Sequence, residues 1–122
     1  MPVLRTGIDL VEIERIESMI ARHGARFLER VYTPRELAEV RENPSSLAAR
    51  FAAKEAVSKA LETGIGAIAW QEVEVLRGPD RQPVLHLNGE AARLAEELGL
   101  HTWSLSLSHT RHHAIAVVVA MG

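Results

Sequence analysis

Trp103-Ser104-Leu105-Ser106-Leu107-Ser108 and, shortly after it, Ala114-Ile115-Ala116-Val117-Val118-Val119-Ala120 carry the clearest strand patterns in the chain. In the first run, apolar and hydroxyl side chains alternate strictly, the period of a strand with one wet face. The second lacks polar alternation and reads as a strand covered on both faces. In a protein of 122 residues, part of that cover is expected from another subunit. Working back toward the N-terminus, Val84 to Leu87 and Trp70 to Leu76 are also strand-like, with Val73 and Val75 alternating against Glu72 and Glu74. Gly78-Pro79-Asp80 signals the turn between them, and Asn88 caps a short helix that runs through Leu98 and closes at Gly99.

Before Gly64 the period becomes helical. A strand over Val3 to Leu10, broken by Gly7, leads into a helix from about Val11 to His23, with Ile13, Ile16 and Ile20 on one stripe and Gly24 as its C′ residue. Ala25 to Val31 continues the pattern. Thr33-Pro34-Arg35-Glu36 starts a third helix with a capping box and proline at the first position. Asn43-Pro44 interrupts and restarts the pattern, and an alanine-rich helix from about Ser45 to Thr63 ends at Gly64. The expectation is a single α+β domain over residues 1–122, helices first and a largely antiparallel sheet after.

A net charge of −2 argues against a dedicated nucleic-acid binder, which needs excess Lys and Arg to hold phosphate backbones. Cysteine is absent, so neither disulfides nor thiolate catalysis are open to the chain. The longest apolar run, Ala114 to Met121, falls far short of the roughly 20 residues of a membrane helix. No basic segment followed by an apolar one opens the sequence, and a cytoplasmic location is expected.

The chain holds two aspartates. Asp80 sits in the turn and reads as a turn former. Asp9 lies between Ile8 and Leu10, where an unpaired carboxylate is costly to bury. It reads either as the N-cap of the next helix or as a hard oxygen ligand for a divalent cation. On the long helix, Arg50, Lys54 and Ser58 stack at intervals of four, and Glu55 and Lys59 form a second such pair. Two cations at that spacing repel unless they share an anion; the plain alternative is a solvated face. Gly64-Ile65-Gly66 either caps and turns the chain or lets a phosphate approach the backbone. Ser108, His109 and Thr110 put hydroxyls and an imidazole at a strand end, suited to phosphate oxygens. His109, His112 and His113 do not have the spacing of a zinc site. Arg15, Arg22, Arg26 and Arg30, with Met19 and Phe27 among them, form a solvated amphipathic face or a docking surface for an acidic partner.

Together these segments resemble the holo-acyl-carrier-protein synthase family, small homotrimeric phosphopantetheinyl transferases. Gly7-Ile8-Asp9-Leu10-Val11-Glu12-Ile13 with Arg15-Ile16 is similar to its first motif, and Arg50-Phe51-Ala52-Ala53-Lys54-Glu55-Ala56 with Lys59-Ala60 to its second. Gly64-Ile65-Gly66 and Ser106-Leu107-Ser108-His109-Thr110 follow in the family's order. The resemblance implies transfer of 4′-phosphopantetheine from coenzyme A to a serine of apo-acyl carrier protein, releasing adenosine 3′,5′-bisphosphate. It implies Mg²⁺ held by Asp9 and Glu55, and catalysis by Glu55 and Lys59, with the general base left open between Glu55 and metal-bound water. Coenzyme A contacts are implied at Arg50, Lys54, Lys59, Gly64, Gly66, Ser108, His109 and Thr110. Carrier docking is implied at Arg15, Met19, Arg22, Arg26 and Phe27, and active sites between subunits of a homotrimer. One departure is Arg81-Gln82-Pro83, where the family usually has Gly-Lys-Pro in a hairpin. A metal-dependent phosphoesterase and an oligomeric binding module are the competing readings.

Overall fold

An alanine-rich helix lies at the centre of the molecule. In the computed structural model, which describes residues 2–122, this helix is α4 (Pro44–Ala60), and 12 of its 17 residues are buried. The chain begins with β1 (Leu4–Glu12), followed by α1 (Ile13–His23), α2 (Ala25–Val31) and α3 (Pro34–Val40). After α4 come a 3-10 turn (Trp70–Glu72), β2 (Val73–Arg77), β3 (Pro83–Leu87), α5 (Gly89–Glu97), β4 (Thr102–His109) and β5 (His113–Met121). The α+β class and the largely antiparallel sheet agree with the sequence pattern.

Two antiparallel sheets form, β1-β5-β4 and β2-β3. β5 is central in the first, pairing Asp9 with Ala116 on one side and Leu107 with Ala116 on the other. Ala114, Ala116, Val118 and Ala120 face α4 and are buried. Because α4 presents alanine at 48, 52, 53, 56 and 60, all fully buried, the sheet packs nearly onto helix backbone. The other face of the sheet is bare: Leu4, Ile8, Leu10, Val117, Val119 and Met121 are all exposed. The cover expected on both faces of the last strand is therefore present on only one within this chain.

Local signals set most boundaries. Thr33 and Glu36 complete the capping box, Pro34 opens α3, and Asn43 accepts from the Ser46 amide to cap α4. Three expectations are corrected. β1 is unbroken through Gly7, because that glycine is needed for the approach of α4 rather than for a bend. α4 stops at Ala60, before Gly64. Trp70 to Glu72 forms a 3-10 turn instead of opening a strand. In β2, Glu74 is buried beside Val73 and Val75, because its carboxylate accepts from the Thr33 hydroxyl at 2.5 Å. At the Arg81-Gln82-Pro83 departure the hairpin closes with Arg81 at φ 66, a left-handed conformation that glycine adopts more readily.

Candidate functional site

Side-chain direction along β1 decides where Asp9 goes. Arg5, Gly7, Asp9 and Val11 turn toward α4, and Leu4, Ile8 and Leu10 turn away. Asp9 is thus a mid-strand carboxylate and not a helix cap; the N-cap of α1 is Glu12, with no side-chain cap bond. Lys59, on the last turn of α4, donates from Nζ to Asp9 Oδ1 at 3.2 Å and to the Ile8 carbonyl at 2.9 Å. Its side chain is 55% exposed and Asp9's 20%, so the pair sits at the rim of the sheet–helix seam. Glu55 lies one turn before Lys59. Burial pushes its carboxyl above the usual carboxylate range and Asp9's charge pushes it further, against the opposing pull of Lys59 and Arg15.

Asp9 and Glu55 thus gather carboxylate oxygens, which are hard donors, beside the Lys59 ammonium and under the charge of Arg15. Among the described residues, no group of three or more His, Cys, Asp or Glu could hold a metal ion. A small hard dication that keeps several waters and takes one or two carboxylates fits this donor set; a zinc-type closed shell does not.

Arg50 and Lys54 go elsewhere, and their expected role as phosphate contacts is corrected. Lys54 is fully buried and donates to Glu36 Oε1 at 2.8 Å, the Val73 carbonyl at 2.5 Å and the Trp70 carbonyl at 3.1 Å. All three ammonium hydrogens are spent. Burial lowers its pKa, with Glu36 opposing that shift. Arg50, also buried, binds Glu39 at 3.2 Å and the Val75 carbonyl at 3.2 Å. The two cations each have their own acid on α3 rather than sharing one ligand. Glu36 further accepts from the Thr33 and Val75 amides, both at 2.9 Å. Sequence reasoning saw Glu36 only as half of a capping box and missed its ion pair; acids at 36 and 39 on the helix preceding cations at 50 and 54 were the available signal.

Gly64 and Gly66 lie in the loop after α4 with open space around them, and the Gly66 amide donates to the Ile68 carbonyl at 2.8 Å. Ser108 and His109 end β4, and the Thr110 hydroxyl accepts from the His112 and His113 amides at 3.3 and 3.2 Å in the following turn. Ser108 is in register with Ile115, itself opposite Leu10, so its side chain is on the bare face of the sheet. Asp9 is on the other face. One chain therefore brings Asp9, Glu55 and Lys59 together but leaves Ser108 apart from them.

On α1, Arg15, Met19 and Arg22 share one face, with the Arg15 guanidinium 6.0 Å from the Phe51 ring centroid. Phe51 packs on Trp70 with centroids 4.7 Å apart. Met19, Arg26 and Phe27, with His23 and Arg30, line a shallow groove of about 290 Å³. Phe27 is only 7% exposed and edge-on to Tyr32, so it forms the floor of that groove.

The family model described as the 4′-phosphopantetheinyl transferase superfamily matches residues 5–118. A holo-[acyl-carrier-protein] synthase of Herpetosiphon aurantiacus is 47% identical over 127 residues, covering 98% of this chain and all of that protein. One from Dehalococcoides mccartyi is 50% identical, covering 97% of this chain and 98% of its own length. Among solved structures, the Helicobacter pylori holo-[acyl-carrier-protein] synthase in complex with coenzyme A superposes with a TM-score of 0.86 at 37% identity, covering 94% of this chain and 98% of that one. The Bacillus anthracis synthase in complex with CoA (3′,5′-ADP) gives 0.82 at 31%, covering 100% and 99%.

Proposed function

The chain belongs to the 4′-phosphopantetheinyl transferase superfamily, and from that premise we propose that Asp9, Glu55 and Lys59 are the catalytic centre of its reaction. The reaction moves the 4′-phosphopantetheine arm of coenzyme A onto a serine of apo-acyl carrier protein. The serine oxygen attacks the β-phosphorus, the bond to the α-phosphate oxygen breaks, and adenosine 3′,5′-bisphosphate leaves. Negative charge shifts between phosphate oxygens as this happens, so fixed positive charge is the main catalytic need.

The observation that carries the assignment is the Lys59 ammonium held by Asp9 and the Ile8 carbonyl beside Glu55. Two of its three N–H groups are engaged, leaving one to donate to a phosphate oxygen on the exposed side. Asp9 and Glu55 are the residues that would hold Mg²⁺, which when bound supplies charge neutralisation across the pyrophosphate. Glu55, beside Asp9 and Lys59, is the side chain of this site that could take the serine proton, directly or through a water held there.

The apolar, uncovered face of β1 and β5 supports assembly into a homotrimer. An active site between subunits would give Ser108, His109 and Thr110 a route to the coenzyme A that one chain cannot offer. Arg15, Met19, Arg22 and Arg26, over the Phe27 floor, form the docking surface for the acidic carrier. The cytoplasm is the compartment proposed for it.

Intact-mass spectrometry of an apo carrier incubated with the protein, coenzyme A and Mg²⁺ tests the site. The expected result is a gain of one phosphopantetheine that EDTA prevents and that Asp9→Ala or Glu55→Ala abolishes. Full transfer by either variant would overturn the assignment.

A further inference from the structure

At Gly7 the backbone of β1 lies against the backbone of α4, and that contact is directly beside the site. A Cβ placed on Gly7 would fall on the Ala56 carbonyl oxygen, 2.8 Å from its carbon and 3.2 Å from the Ala60 amide nitrogen. Ala56 C=O and Ala60 N–H are the acceptor and donor of one α-helical hydrogen bond. Gly7 therefore rests on helix backbone, and no side chain can rotate away to make room. Gly7 does not have a positive φ, so alanine there strains no dihedral and changes only the spacing.

The neighbours on both elements are the reacting groups. Ala56 follows Glu55 and Ala60 follows Lys59; Ile8, whose carbonyl accepts from Lys59, and then Asp9 follow Gly7. We propose that Gly7 is a positioning residue for phosphopantetheine transfer, its missing side chain setting the β1–α4 distance at which Asp9 meets Glu55 and Lys59. This rests on the reading of Asp9 and Glu55 as cation ligands. A methyl at position 7 drives the strand from the helix by on the order of an ångström, a misplacement that costs about a hundredfold in rate when it falls at reacting groups.

The test uses the full chain with Mn²⁺ as probe in the presence of coenzyme A, followed by water-proton relaxation, alongside transfer kinetics. Gly7→Ala is expected to lower kcat about a hundredfold, to weaken Mn²⁺ binding about tenfold, and to leave KM for the carrier unchanged. Asp9→Glu alone also impairs both readouts, because its longer arm does not fit the native spacing. In the Gly7→Ala background, Asp9→Glu spans the widened gap and restores Mn²⁺ binding and rate above Gly7→Ala alone. A double variant no better than Gly7→Ala overturns the proposal, since a general packing defect gains nothing from a longer carboxylate. Should Gly7→Ala fail to fold, Ala60→Ser enlarges a fully buried α4 residue whose amide nitrogen lies at the Gly7 contact, and absence of the same rescue there counts equally against it. Wild-type transfer without any Mn²⁺ binding defeats the cation reading, and the proposal with it.

Discussion

Lys54 and Lys59 are five residues apart on one helix, and their surroundings separate their roles. Lys54 closes a buried ion pair with Glu36, and Lys59 stands half-exposed at Asp9. Lys54→Met strands Glu36 as an uncompensated buried charge and should cost about 3–5 kcal/mol. Lys59→Met should change stability by less than about 1 kcal/mol while lowering the transfer rate by roughly a hundredfold or more. Urea unfolding at one protein concentration and steady-state turnover check the pair; equal stability loss in both variants would contradict this division. Asp9 was legible as a group in need of a partner, because a carboxylate between Ile8 and Leu10 is costly to bury. Lys59 read as the partner of Glu55, and its bond to Asp9 is visible only in the fold. Lys54 was not legible, since successive helix positions differ by about 100° and sequence does not say which direction is solvent. Position 54 points at α3 and β2, and position 55 at β1.

Helix α5 depends on a residue outside itself. Glu72, at the end of the 3-10 turn, accepts from the Ala69 amide at 2.7 Å and from the Glu90 amide at 2.6 Å, so its carboxylate both closes that turn and caps α5. Asn88 precedes the helix but makes no side-chain cap bond, contrary to the sequence pattern. Gly89 adopts φ +56, and any Cβ there would run into the Glu72 carboxylate. Glu72→Ala should therefore destabilise the protein by about 1–2 kcal/mol and speed amide exchange at the start of α5, with Asn88→Ala a small fraction of that. The reverse order would restore Asn88 as the cap. Thr33-Pro34-Arg35-Glu36 was legible because both halves of its capping box are local in sequence. The cap of α5 was not, because its acceptor lies 18 residues upstream of the amide it serves.

For the molecule as a whole, the bare sheet face is the feature to explain. Ile8, Leu10, Val117 and Val119 stand together across β1 and β5 with nothing of their own chain over them. Val117→Lys places a charge at the middle of that face. The proposed trimer should fall to monomers in sedimentation while the circular dichroism spectrum is kept and transfer is lost; an unchanged mass would remove this face from the assembly. The all-apolar final strand announced the need for cover, but only the register with β1 shows which side lacks it. The opposite side rests on α4, whose residues 48, 49, 52, 53, 56 and 60 are alanine and buried. Conventional truncation mapping is therefore blind at the molecule's centre, where the probe residue is already in place. Shortening side chains can report on this helix only at larger buried residues such as Leu47, Phe51, Lys54 and Val57, and leaves the alanine seam unprobed. Only enlargement tests that seam, and there the close sheet–helix packing opposes each added methyl.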